Sequence, residues 1–325
     1  MKIVITSGDT NGIGLETLFK GFPAVDPNSN DFALCINTET LVEYAKKANL
    51  NIEVRGDKAV YMNRTIELIH LNNGSQIDFG AIAIDSGQHS ADSVEKALEL
   101  TQSGEFDAMV TLPISKEAIY LTGWKFTGHT EMLAAKSGVE SPLMILFKDR
   151  IRVAIASIHM PLKEVPGYLS KNVIYEKALM LHESLKKDFA VEQPKIAVLG
   201  LNPHAGESGN IGTEEIEYIN ECVEQLQSDD INAEGPFPAD GFFAHGGYLG
   251  YDATLAMYHD QGLIPMKMLA RGGGVNYTAG LPIVRTSPDH GTAFMIAGQG
   301  RANPQSTIDA INAAIDIAKV RKSRS

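Results

Sequence analysis

Five apolar runs in this chain each lead into a loop dense in glycine, proline and reactive side chains, and that repetition restricts the possible folds more than any other feature. The loops are GHTE (Gly128–Glu131), NPHAGE (Asn202–Glu207), GPFPADG (Gly235–Gly241), YDATLAMYHDQGLIPMK (Tyr251–Lys267) and RTSPDHGTAF (Arg285–Phe294). A short apolar run bounded by turn residues reads as a buried strand, and open α/β sheets collect their chemistry where strands stop. Five such loops in one chain point to one active site built from strand ends. The fourth is the densest: it places His259, Asp252, Asp260 and Lys267 around Gly262, which is read as a sharp bend. A carboxylate beside a histidine suits either an oriented metal ligand or proton carrier, or an ordinary polar loop.

The rest of the chain alternates in the same way. KIVIT (Lys2–Thr6) reads as a strand, followed by the turn GDTNGIG and a helix from about Leu15. DFALCIN is a second strand, with a helix over about Thr40–Ala48. AIAIDSG precedes a helix with apolar positions at Val94, Ala97, Leu98 and Thr101, and Phe106–Pro113 is a further buried strand. The alternation predicts a mostly parallel sheet with helices on both faces. PLMILFKDRIRVAIASIHMPL differs: two apolar runs joined by Lys148-Asp149-Arg150 predict an antiparallel hairpin over Leu143–Ser157. Helices are expected over about Lys171–Lys187, from Thr213 to about Leu226, and over about Pro304–Arg321. At 325 residues the chain can build two lobes, each with its own core.

Composition removes several functions. A net charge of −12 argues against nucleic acid, whose phosphates need a basic face. A few converging cations would still suffice for an anionic small substrate. The apolar runs reach at most about ten residues, short of the roughly 20 of a membrane span, and the first residues lack a signal-peptide pattern, so a cytoplasmic protein is expected. Cys35 and Cys222 sit in apolar contexts without metal or redox spacing, and read as buried.

Five of the nine histidines end or follow apolar runs: His129, His159, His204, His259 and His290. Strand-end placement makes a metal centre possible among His159, His204 and His259, although their long spacings alone do not require one. Lys267 and Arg285 are cations beside Gly-rich loops, with Lys116 and His129 as further candidates, and Asp240 lies between proline-fixed backbone and a glycine. GDTNGIG (Gly8–Gly14) lacks the Gly-x-Gly-x-x-Gly spacing of a dinucleotide fingerprint. It is either a tight turn or an anion site at a helix start. His290–Pro304 is either a connection into the last helix or a cradle for an adenine nucleotide.

Seven ordered motifs then carry a resemblance running nearly end to end: ITSGDTNGIGLE, GHTE, IHMPL, LNPHAGESGNIGTEE, GPFPADGFF, AMYHDQGLIPMK and VNYTAGLPIVRTSPDHGTAF. Together they resemble the 4-hydroxythreonine-4-phosphate dehydrogenase family of vitamin B6 biosynthesis. The resemblance implies two α/β/α lobes with a cleft between them, similar to isocitrate and isopropylmalate dehydrogenases. Residues 1–128 with 280–325 would form the first lobe, and 129–279 the second, with the hairpin forming a homodimer. It implies NAD or NADP as cofactor and one divalent ion (Zn, Mg or Co) on His159, His204 and His259. Substrate contacts fall to His129, Thr130, Lys267, Asn276 and Arg285, and proton transfer to Asp240, Asp260 and Lys267. Adenosine-side contacts fall to Gly291, Thr292, Ala293, Gly298 and Asn303.

The implied reaction oxidises and decarboxylates 4-phosphohydroxy-L-threonine to 3-amino-2-oxopropyl phosphate. Departures from the family pattern include Thr10, Asn11 and Leu15 in the first turn, Ile158 and Gly241 where the family carries hydroxyls, Ala279, and Pro288. The two lost hydroxyls leave threonate or erythronate 4-phosphate as alternative substrates. From other classes, a metal-dependent hydrolase, a phosphate acyltransferase or a non-catalytic binding protein are the competing readings.

Overall fold

A computed structural model describes residues 1–26, 30–126 and 128–324, and the chain divides into two compact units. The first comprises residues 1–140, 272–276 and 281–319, and the second residues 141–271, 277–280 and the C-terminal residues from Val320.

In the first unit the strands are β1 (Lys2–Thr6), β2 (Asp31–Ile36), β3 (Glu53–Arg55), β4 (Lys58–Tyr61), β5 (Arg64–His70), β6 (Ala108–Val110) and the strand Arg285–Pro288. Their order is Arg285–Pro288, β6, β1, β2, β5, β4, β3. Pairing is parallel from Arg285–Pro288 to β5 and antiparallel through β4 and β3. The antiparallel extension escaped the sequence reading because its short strands alternate charge and apolarity at an edge, with β3 largely exposed. The helix Ile84–Gln102 packs on β1, β2 and β6, and its predicted apolar positions Val94, Ala97, Leu98 and Thr101 are all buried. That spacing puts four side chains on one stripe, and Val94, Ala97 and Leu98 join Val4, Ala33 and Met109 in one core.

The GDTNGIG turn is closed by its own protein. Asp9 N–H donates to Pro113 O, Gly12 N–H to Asp9 O and Ile13 N–H to Thr292 O, while Asn11 N–H donates to Asp9 Oδ1. These backbone donors are committed, so the tight-turn reading holds for them. Asp9 is fully buried and its Oδ2 has no hydrogen-bond partner. Burial raises its pKa from 3.8 to about 6, partly opposed by the Asn11 N–H. A carboxyl whose pKa is higher folded than unfolded favours the native state when protonated. Its contribution is therefore lost as pH rises from about 4 through about 6. Asp9→Asn should raise stability at pH 7.5 by about 1–3 kcal/mol and leave it nearly unchanged at pH 4. Urea midpoints at the two pH values measure this, and equal shifts at both would contradict it.

The second unit contains β7 (Leu143–Lys148), β8 (Ile151–Ser157), β9 (Ile196–Leu199), β10 (Ala233–Phe237) and β11 (Ala253–Tyr258). The order is β10, β9, β11, β8, β7, followed by residues 277–279. The hairpin of β7 and β8 forms as expected, turning at Asp149 with φ 54°. It does not leave exposed strand edges, because β8 lies between β11 and β7 and β7 has a neighbour on its other side. The edge strand here is β10. Strands β10, β9, β11 and β8 are mutually parallel. Their carboxyl ends therefore lie along one edge of the sheet, and the loops that follow carry Asp240, His204, His259 and His159.

Gly262 is not at a bend. It sits inside the helix His259–Ala270, which packs on β7, β8 and β11. A β-carbon there would lie 2.6 Å from Ile155 Cδ1, 2.7 Å from Val153 Cγ1 and 3.0 Å from Ala256 Cβ. The glycine permits close helix–sheet contact, a role invisible in a sequence that also suits a turn. Gly262→Ala should destabilise by about 1–3 kcal/mol through overpacking. An unchanged thermal midpoint would show that the helix can move away freely.

Candidate active site

Two adjoining cavities open at the carboxyl edge of the second unit's sheet. One, of about 360 Å3, is lined by His159, His259, Asp260, Tyr258, Ser157 and Leu162 among others. The other, of about 450 Å3, takes in His204, Asp240, Asn202, Gln261, and again Tyr258 and Asp260. The shared residues come from one junction, where β11 ends at Tyr258 and the next helix begins at His259. Gln261 ties that junction down: its Oε1 accepts from Met257 N–H at 2.7 Å and its Nε2 donates to Gly200 O at 2.6 Å.

His259 Nδ1 lies 2.7 Å from Asp260 Oδ1, the carboxylate–imidazole pairing that fixes ring orientation and leaves Nε2 to face a ligand. The rings of His159 and His259 lie 5.9 Å apart, centroid to centroid. Two imidazoles sharing one ion place their centroids about 5–6 Å apart, given metal–nitrogen bonds near 2.1 Å. His204 lines the adjoining cavity. Among the described residues no three His, Cys, Asp or Glu side chains stand clustered as a ligand set. The His159 and His259 rings are thus neighbours, and the third imidazole lines the adjoining cavity. The residue types suit a divalent ion: imidazole nitrogens, a carboxylate behind one of them, and adjoining room for substrate.

His159 and His204 both hold left-handed backbone, with φ of 50° and 53°. Side chains other than glycine adopt that region at a cost, and such strain concentrates at functional sites. Asp240 is exposed at the start of the helix Ala239–Ala244, and Lys267 is exposed near the end of the helix that begins at His259. Asp252, prominent in the same motif, is structural: its Oδ2 accepts from Lys195 N–H at 2.8 Å.

The first unit holds a different cluster. Arg285, 2% exposed, donates from Nε and Nη2 to Thr111 Oγ1 at 2.9 and 2.7 Å. Burial lowers its pKa to about 10, and Glu131 opposes that fall, so the guanidinium stays charged at neutral pH. His129 begins the helix His129–Lys136 after Gly128. Its pKa is held well below the usual histidine range, first by burial and then by the charges of Arg285 and Lys116, so the ring is neutral at pH 7. Its Nε2 is buried without a hydrogen-bond partner, and so is Oδ1 of Asn276. Buried polar atoms are paired in nearly all native structures, so each of these two atoms is available to a ligand. Thr130 and Glu131 are half-buried beside His129. Sequence reading missed Thr111 as the support of Arg285, although its place at the end of a buried strand was a usable signal.

The residues expected to hold adenosine lie in the first unit, and three have local structural roles. Thr292 O accepts from Ile13 N–H, and Asn303 Oδ1 accepts from Gln305 N–H at the start of the last helix. Gly298, with φ 72°, leaves space filled by the Phe79 ring, 2.2 Å from where a β-carbon would stand. Ala293 is left-handed, and Gly291 is exposed. Cys35 and Cys222 are buried, and burial pushes both thiols up to about 12. No helix among the described residues is long and apolar enough to cross a membrane.

Parallel strand ends bearing imidazoles and carboxylates, with a buried arginine–imidazole cluster, define an α/β enzyme for a small anionic substrate. Comparison with known proteins narrows that class. Residues 29–314 match the family model for the pyridoxal phosphate biosynthetic protein PdxA. The 4-hydroxythreonine-4-phosphate dehydrogenase of Prosthecochloris aestuarii is 43% identical, with 96% of each chain covered. The crystal structure of the Klebsiella pneumoniae 4-hydroxythreonine-4-phosphate dehydrogenase superposes with a TM-score of 0.82 at 34% identity, covering 98% of this chain and 99% of that one. A β-decarboxylating dehydrogenase from Thermococcus kodakarensis, 15% identical with a TM-score of 0.50 over 99% of this chain and 88% of that one, shares the fold. The chain belongs to the PdxA family, as its seven motifs indicated.

Proposed function

We propose that this chain is an NAD-dependent, divalent-metal-dependent dehydrogenase that oxidises and decarboxylates 4-phosphohydroxy-L-threonine to 3-amino-2-oxopropyl phosphate in pyridoxal 5'-phosphate biosynthesis. One observation carries the substrate assignment. Two of the buried polar atoms left without hydrogen-bond partners, His129 Nε2 and Asn276 Oδ1, belong to residues assigned to substrate by family resemblance, in the unit that holds the buried cation Arg285. A phosphorylated amino acid offers both the anion and the hydrogen-bonding groups such a site lacks.

His159, His204 and His259 would hold the ion, which supplies Lewis acidity when bound; the nicotinamide supplies a hydride acceptor. The chain's own residues do the rest. Arg285, braced by Thr111, fixes an anionic group of the substrate, and Lys267 meets another. His129, neutral at pH 7, adds a hydrogen bond without a second buried charge, with Thr130 and Asn276 beside it in role. Asp260 keeps the His259 ring oriented through Nδ1. Asp240, exposed in the His204 cavity, accepts the hydroxyl proton as the carbonyl forms. The carbonyl lies β to the carboxylate, so carbon dioxide can then leave. The enzyme works in the cytoplasm as a homodimer, with Gly291, Thr292, Ala293, Gly298 and Asn303 on the adenosine side.

A second reading, oxidation of threonate or erythronate 4-phosphate, is favoured at one point. The space beside Gly241 is open, a β-carbon there meeting only His245 Nδ1 at 3.9 Å, and no hydroxyl occupies it. Purified protein assayed with each of the three phosphates and NAD or NADP, following reduced nicotinamide, decides between them. The highest kcat/KM should fall on 4-phosphohydroxy-L-threonine. Preference for a sugar-acid phosphate would select the second reading, and no nicotinamide reduction with any of them would remove both.

A further inference from the structure

We infer that Glu215 is a positioning residue for His204, acting through Asn202; the inference rests on the metal-binding reading of His204. From His204 to Ser208 the backbone is left-handed at five successive residues, with φ between 42° and 79°, and only Gly206 among them is glycine. Single left-handed residues are ordinary, but a run of them with side chains is unfavourable at each step and persists only where something outside it compels it. The compelling group is the Glu215 carboxylate. It is 2% exposed at the first residue of a single wide π-turn, Glu215–Ile219. Such π-turns recur at functional sites.

Glu215 grips the residue two before His204 by both its main chain and its side chain. Oε1 accepts from Asn202 N–H at 2.7 Å, and Oε2 accepts from Asn202 Nδ2 at 2.9 Å. The same Nδ2 also donates to Glu214 Oε2 at 2.7 Å. Three glycines clear the space for this arrangement. A β-carbon at Gly206 would stand 2.6 Å from Glu215 Oε2, one at Gly200 3.0 Å from Oε1, and one at Gly212 2.3 Å from Asn202 Nδ2. NPHAGESGNIGTEE therefore encodes more than a histidine. Its glycines, asparagine and second glutamate make a clamp that forces the loop into the left-handed turn presenting His204 to the cavity with Asp240 and Asp260. Losing the clamp lets the loop relax to right-handed backbone, which turns the imidazole away.

Calorimetric titration of metal-depleted protein with Co2+ tests this, run on wild type, Glu215→Gln, Asn202→Ala, the double variant and His204→Ala. Gln keeps one acceptor but points an amide N–H2 at the Asn202 amide, so one half of the clamp opens with little change in volume. Glu215→Gln and Asn202→Ala should each weaken Co2+ about ten- to hundredfold, the range for residues that orient a ligand. The double variant should be no weaker than the stronger single one, since both break one device. KM for the phosphorylated substrate at saturating Co2+ should stay within about twofold, a split that general loosening of the fold would not give. If His204→Ala weakens Co2+ and neither clamp variant does, the metal site stands and the clamp role is wrong. If His204→Ala leaves Co2+ affinity unchanged, the metal reading of His204 falls and the clamp inference falls with it. Asn202→Ala keeps the main-chain bond to Glu215, so it gives a result even should Glu215→Gln fail to fold.

Discussion

Chelation of divalent ions should abolish nicotinamide reduction by this protein, and adding back Co2+, Zn2+ or Mg2+ should restore it. The largest loss from a single substitution falls at His259. Its second nitrogen lies 2.7 Å from the Asp260 carboxylate, and its ring neighbours that of His159. Loss of an orienting partner costs about ten- to hundredfold, so loss of the ligand costs at least about a hundredfold in kcat/KM. His259→Ala should reach that level and Asp260→Asn should fall between it and wild type. Steady-state kinetics over a range of added metal measures both. Full activity after exhaustive chelation would sink the metal assignment, because no other group near these cavities could replace Lewis acidity.

Arg285→Ala should lower kcat/KM about ten- to hundredfold, the worth of a charge-assisted contact of 1.5–3 kcal/mol. The loss should appear mainly as a raised KM, since Arg285 is proposed to hold an anion that keeps its charge throughout the reaction. Arg285→Lys should recover little. The present geometry uses two guanidinium nitrogens, Nε and Nη2, on one hydroxyl, Thr111 Oγ1, and an ammonium cannot reproduce that fork. His129 supplies a second readout. Removing the arginine lifts one of the positive charges that depress its pKa, so the imidazole pKa should rise, measurable by NMR titration. Arg285→Ala with unchanged kcat/KM would show that the substrate's anion is bound elsewhere.

Much of this enzyme was legible before any coordinates. Short apolar runs bounded by turn residues favour buried strands over helices, and β1, β2, β7, β8 and β9 appear where the pattern puts them. The helix Lys171–Lys187 matches its expected span, because a 3.6-residue periodicity with a Ser170 cap admits little else. The rule that chemistry follows strand ends placed His159, His204, Asp240 and His259 at one sheet edge, since their strands prove to be parallel neighbours. The family could be read from the motifs alone.

Other features depend on residues far apart in the chain meeting in space. Gly262 suits a bend and a helix equally well by local chemistry, and only contact with Val153, Ile155 and Ala256 decides for the helix. Thr111 and Arg285 are 174 residues apart, and nothing in either neighbourhood announces the bond between them. The hairpin Leu143–Ser157 could be foreseen as a hairpin, but its neighbours on both sides could not. The same division runs through the His204 loop. Its glycines and glutamates are plain in the sequence, whereas the grip of a buried carboxylate 13 residues on, which accepts from both the main-chain and side-chain nitrogens of Asn202, is not. Sequence alone determined most of the buried strands and longer helices, where the core strands end and which family the chain belongs to, because periodicity and motif are local properties. Tertiary structure alone decided which buried polar groups are paired, which glycines are obligatory and which atoms are left for a ligand, because each is set by what packs against it.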